Sequence, residues 1–213
     1  MQAPSPTLIF ALLALAGLYL LLWSWYGGRG KPLTPREVDG YIEELSRRAQ
    51  GHHGAAQTQL LLTQVRALLA SDDGNEFVMQ NLVRYRSVAQ YPPGYNFGTD
   101  PREADQRYGR AIIWPLLRRG SLPVFIARRS GVFLQPVGAD DWHYVAMVRY
   151  RSRRDFVLFA LAIEQGDIAV HKWAAIEKTH VFPVKPVISL FLLRTLVAAP
   201  FVLAGLLLLL AAG

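Results

Sequence analysis

The chain contains no cysteine. Disulfides, thiolate nucleophiles and cysteine-ligated metals are therefore excluded, and the fold needs no oxidising compartment. Acidic residues are missing from both ends: all sixteen Asp and Glu fall between Glu37 and Glu177. Basic residues are almost as confined, since Arg194 is the one Lys or Arg outside residues 28–186. The middle thus sets twenty-two basic residues against sixteen acidic ones, and the ends are close to uncharged. Such a basic excess suits a solvated surface near an anionic bilayer. There is no HExxH, no GxSxG, no glycine-rich phosphate loop and no nucleic-acid motif. The expectation is no metal, no cofactor and no nucleic-acid partner.

What is present at the ends is length without charge. Residues 7–27 hold enough apolar positions for one transmembrane helix, which takes about 20 residues. Trp23, Trp25 and Tyr26 cluster at its far end, as an interfacial aromatic belt would. A cleaved signal peptide would carry basic residues at its start and small residues at its cleavage site, and neither is found. Residues 187–212 read as a second span, with Arg194 early enough to snorkel and Pro200 placed to kink it. An ion pair between Arg194 and another membrane subunit is the alternative. Arg29, Lys31 and Arg36 follow the first span, and Lys172, Lys178 and Lys185 precede the second. The positive-inside rule then puts the middle in the cytoplasm of a two-pass inner (plasma) membrane protein.

The middle opens with a helical lead-in over 32–70. Thr34 is placed as an N-cap, Pro35 as the first helical residue and Glu37 as the third, completing a capping box. Residues 51–54, with His52 and His53 between glycines, break the helix and read as loop and not as metal ligands. A second helix follows, its stripe expected at Leu60, Leu61, Val65, Leu68 and Leu69. After the turn "SDDGNE", "FVMQNLVRYR" alternates. Phe77, Met79, Asn81, Val83 and Tyr85 share one face, and Val78, Gln80, Leu82, Arg84 and Arg86 the other. A helix capped by Asp100 runs toward Gly120, and Pro115 is expected to kink or interrupt its last turns. "LPVFIARRSG" and "DWHYVAMVRYRS" read as two strands. Ser152 and Asp155 then form a second cap, on the helix "SRRDFVLFALAIEQ". "KTHVFPV" reads as the last strand. The order β-α-β-β-α-β is the split βαβ, ferredoxin-like pattern of an α+β domain.

The stretches "FVMQNLVRYR", "DQRYGRAIIWPLLRRG" and "WHYVAMVRYRSRRDFVLFA" resemble the dimeric α/β-barrel superfamily. Within it they are most similar to a family of small, uncharacterised domains. The resemblance covers about 75–183. It departs at Arg151, where the family carries proline. It implies two four-stranded sheets packed face to face in a homodimer. Burial logic agrees, because helices on one side of a sheet leave its other face needing a partner. Phe77, Met79 and Val83, with Val145 and Met147, are the residues expected on that face.

The residues that could line a pocket are Asn81, Tyr108, Trp114, His143 and Arg149. Asn81 is a lone amide among apolar neighbours and must be bonded or used. His143 could serve as a base or haem ligand, although an edge histidine making one hydrogen bond is the simpler reading. Arg110, Glu177 and His180 are weaker candidates. Two classes of function remain. The preferred one is a non-catalytic, membrane-anchored binding or assembly module. The other is a small, cofactor-poor oxidoreductase or isomerase acting on a lipophilic molecule. No catalytic set can be named.

Overall fold

The computed structural model describes residues 5–27, 30–48, 55–164, 167–187 and 193–211, with side chains omitted at 55–57 and 193–197. His52, His53 and the side chain of Arg194 lie outside them. The chain divides into two units, residues 28–185 and the pair of flanking segments.

In the flanking unit, α1 (Pro6–Tyr26) starts at Ser5, whose hydroxyl accepts the Leu8 amide at 3.3 Å. Among the described residues it is the helix long and apolar enough to cross a membrane by length and composition. The second expected span contains a helix, α7 (Leu193–Ala211), whose apolar stretch among the described residues is Ala198–Leu210. Tyr19 meets Phe201 edge to face, with ring centroids 5.4 Å apart.

The central unit is α+β. The lead-in forms α2 (Pro35–Arg48) and α3 (Ala55–Ala70). Then come β1 (Phe77–Tyr85), α4 (Pro101–Leu117), β2 (Leu122–Arg128), β3 (Tyr144–Tyr150), α5 (Arg153–Glu164), α6 (Ile168–Ala175) and β4 (Ile176–Val184). The four strands make one antiparallel sheet in the order β2-β3-β1-β4. The caps form as their residues dictate. Thr34 donates its amide to Glu37 at 2.8 Å and accepts the Glu37 amide at 3.4 Å. Ser152 Oγ donates to Asp155 at 2.7 Å and accepts its amide at 3.1 Å. Asp100 accepts the Arg102 amide at 2.8 Å. Pro115 does not interrupt α4, which runs on to Leu117. It is the third residue from the end, where one missing donor removes a single helical bond.

Helices cover one face of the sheet. Phe77 and Met79 pack there with Tyr150, Leu116, Phe159 and Ile163. Val83 packs there with Ala104, Ala175 and Ile176. This corrects the expectation that Phe77, Met79 and Val83 lie on the open face. Alternation says which residues share a face, not which face meets the helices, and both faces of β1 carry large apolar residues. Val145 and Met147 do lie on the open face, paired with Leu82 and Gln80. The lead-in adds a further layer, with Val38, Ile42, Leu45, Leu62 and Leu69 closing on Val157 and Leu161 of α5. Leu60 and Leu61 are exposed and Leu62 is buried in their place, while Val65, Leu68 and Leu69 pack inward as expected.

The turn before β1 fastens several elements. Asp72 accepts the Leu33 amide at 2.9 Å, Asp73 accepts from Arg153 at 3.1 Å and from Lys185 at 2.7 Å, and Gly74 accepts the Gly30 amide at 3.0 Å.

Candidate functional site: an open sheet face and a buried polar cluster

Cross-strand partners in an antiparallel sheet point to the same side. The registers therefore arrange the open face in ranks that run across all four strands. One rank is Phe125, Met147, Gln80 and Phe182, and the next is Ala127, Val145, Leu82 and His180. These residues are half-buried in the single chain, except His180, which is exposed. A third rank, Leu122, Arg149, Val78 and Val184, is largely closed: Arg149 is 0% exposed and Val78 3%. Arg149 donates to Glu76 at 2.5 and 2.8 Å and to the Gly120 carbonyl at 2.6 Å. A guanidinium is affordable in such a place only when paired and bonded in this way.

The second arrangement lies on the helix side. Asp105 of α4 accepts from Tyr85 Oη at 2.8 Å and from Tyr144 Oη at 3.2 Å. Burial raises the carboxyl above its ordinary range, against the lowering pull of the two phenols and of Lys172. Lys172 of α6 sits with its ammonium 4.9 Å from the Trp173 ring and 5.8 Å from that of Tyr108. Desolvation lowers its pKa. Burial first, and then the Asp105 charge, push the phenols of Tyr85, Tyr108 and Tyr144 upward. None of these tyrosines is therefore poised to ionise near neutrality. The cluster ties α4 to the adjoining ends of β1 and β3.

The five pocket candidates are not brought together. Asn81, on the helix-side face, donates to the Met79 and Ala146 carbonyls at 3.1 and 3.3 Å. Tyr108 packs in the core beside Phe77 and Met79. Trp114 is 66% exposed on α4. His143 precedes β3 at a bend, where its Nδ1 accepts the Tyr85 amide at 2.9 Å. It therefore lies just outside the strand that "DWHYVAMVRYRS" was expected to form. Arg149 is held as described above. Among the weaker candidates, Arg110 bonds its own helix at the Gln106 carbonyl, 3.3 Å away. Glu177 pairs bidentately with Arg84, and His180 lies 5.0 Å from the Phe182 ring on the open face.

Sequence reasoning missed Asp105, Lys172 and the whole of α6. A signal for Asp105 was present, because it falls on the stripe of Tyr108, Ile112 and Leu116, where a charge is out of place. α6 has only eight residues, and its N-cap Asp167 makes no side-chain cap bond.

No family model matches the chain, and no curated protein matches it. Solved structures do. The crystal structure of the methylated RPA0582 protein is 27% identical, with a TM-score of 0.53, over 62% of this chain and 93% of that one. A second crystal structure of RPA0582, described as a protein of unknown function from Rhodopseudomonas palustris, is 27% identical with a TM-score of 0.49. It covers 62% of this chain and 95% of that one.

Proposed function

We propose that the chain is a membrane-anchored, non-catalytic assembly module whose ferredoxin-like domain pairs with a second copy through its open sheet face, as a dimeric α/β barrel. The observation that carries the reading is the pair of ranks Phe125–Met147–Gln80–Phe182 and Ala127–Val145–Leu82–His180, which none of the described helices that pack on the other face covers. The strand order β2-β3-β1-β4, with helices on one face, supports the ferredoxin-like assignment. The length and composition of α1 support anchoring, with residues 187–212 as a second span and the domain on the cytoplasmic side. A role in assembly rather than turnover is favoured because each pocket candidate is engaged by its own neighbours or turned outward.

The test is Met147→Asp in the full chain, solubilised in mild detergent. It places a carboxylate in the middle of the proposed interface, at a cost of several kcal/mol. The parent should sediment as a dimer and the variant as a monomer. Ile126→Asp is the control. Ile126 pairs with Ala146 on the helix-side face, is 64% exposed, and should leave the dimer intact. A monomeric parent, or a dimer indifferent to Met147→Asp, rejects the reading.

A further inference from the structure

The connection between β2 and β3 is unlike the other loops of the domain. Residues 130–139, "SGVFLQPVGA", carry no charge. Val132 is 63% exposed, Leu134 86%, Phe133 104% and Val137 107%. Phe133 and Val137 are thus as open to solvent as in an isolated peptide. The loop is nevertheless built. Arg129 donates to the Gly131 carbonyl at 3.0 Å and to Gln135 at 2.9 Å, and pairs with Asp141. Its amide donates to the His143 carbonyl at 2.9 Å, and Gln135 donates to the Ala139 carbonyl at 3.4 Å. A braced loop that presents four apolar side chains to water marks an interaction site.

Its position selects the occupant. β1 begins near Gly30 and Lys185, through which the domain is joined to both apolar segments, and both are bonded to the turn at Asp73 and Gly74. β2 runs from Leu122, paired near that end, to Arg128, which pairs with Tyr144 opposite Val83. The tip therefore follows the far end of the strands, roughly 20 Å or more along the sheet from those joints. The open face continues into the loop directly through Ala127 and Val145.

Area points the same way. Two available ranks on four strands span about 19 by 14 Å, or roughly 300 Å² of each copy. Stable specific interfaces bury about 1,200–2,000 Å² in total. The sheet face alone falls short by several hundred Å², and that is the scale on which four exposed apolar side chains from each of two copies contribute.

We propose that residues 132–137 form a clasp that reaches past the end of the sheet and grips the second copy. This rests on the dimer reading above. The chain's lack of cysteine allows a direct test in the full protein reconstituted in lipid vesicles. Copies labelled with donor or acceptor dye at Arg110→Cys, on an exposed position of α4, report association by energy transfer as the protein is diluted in lipid. Phe133→Ser with Val137→Ser should weaken association by about 100-fold or more. It should leave the domain folded, because both side chains are open to solvent. A polarity-sensitive dye at Phe133→Cys should become shielded on association, and exposed again in the Met147→Asp background.

If Met147→Asp abolishes association while the double serine variant is silent, the clasp is rejected and the sheet interface stands. If the parent itself is monomeric, both are rejected. If the dye at position 133 is quenched by spin-labelled lipid regardless of protein density, the tip sits in the bilayer and the clasp is rejected. If it is shielded in the parent and equally in Met147→Asp, another partner holds it and the clasp is again rejected.

Discussion

Gly30 donates its amide to the carbonyl of Gly74, and Gly74 returns the closeness: a Cβ there would overlap Gly30's own carbonyl oxygen. Gly74 also holds a φ of +71°, in the left-handed region. Gly74→Ala should therefore cost more than backbone strain alone, at least about 2 kcal/mol. Gly138→Ala separates the two causes, since φ is +80° there but nothing lies within 4 Å of the added carbon. It should cost about 1 kcal/mol. Thermal unfolding of the detergent-solubilised chain measures both, and equal losses would mean that the contact with Gly30 does not matter.

Glu37 joins α2 to α5, accepting from Arg154 at 2.6 Å. The Arg154 hydrogen bond, followed by the Thr34 amide and hydroxyl, pulls its carboxyl down to about 2. A depressed carboxylate stabilises the fold above its unfolded pKa, and that contribution is lost as pH falls toward the folded one. The hydrogen-exchange protection of α2, taken relative to the intrinsic rate at each pH, should therefore fall between about pH 4.5 and 2. Glu37→Gln should show the lower protection already at neutral pH, with little further change on acidification. No difference between the two proteins at pH 7 would remove the pair from the account of how the lead-in is held.

Asp105 titrates with the opposite sign. Its folded pKa is raised, mainly by burial. The contribution is full below the unfolded carboxyl value, about 4, and is lost as pH rises through the folded one. Asp105→Asn keeps an acceptor for Tyr85 or Tyr144 and has no charge to bury. Melting temperatures of the two proteins should converge in acid, and the variant should gain relative to the parent toward neutral pH. A difference that does not vary with pH would place the effect in the hydrogen bonds instead.

Asn81→Leu probes the amide that stood out in the sequence. The side chain donates to two carbonyls of its own sheet, so its loss should cost about 1 kcal/mol. Because Asn81 is on the helix-side face, the proposed pairing through the open face should not change. A variant of unchanged melting temperature with altered association would point instead to a ligand held by this residue.

Local chemistry was the legible part of this chain. Thr34 with Glu37, Ser152 with Asp155, and Asp100 with Pro101 each announced a helix start, because a cap is settled by residues within one turn. The alternation of β1 was legible too, and it correctly grouped Asn81 with Met79 and Val83. What it could not supply was the side on which α4 and α5 would land, which depends on chain crossings remote from β1. The run Leu60–Leu61–Leu62 offered three equivalent stripes, and only packing against α5 selected Leu62. His143 was misplaced because the strand begins one residue later, at Tyr144, and that single step frees its ring to turn toward the Tyr85 amide. Lys172 was legible only as one more basic residue, since α6 has neither the length nor the cap that would have marked a helix there.

The turn at Asp72, Asp73 and Gly74 holds the first residues of the central unit through Leu33 and Gly30, and its last through Lys185. Beginning and end are thus moored at one place, so residues 30–185 form a nearly closed ring of chain. Such a unit can be spliced into a connecting segment, or reopened at another loop, without stretching either flank. New termini cut between Gly94 and Tyr95, with residues 30 and 185 bridged by a short linker, would leave every strand pairing in place. The two flanking segments, for their part, would no longer be joined through the domain.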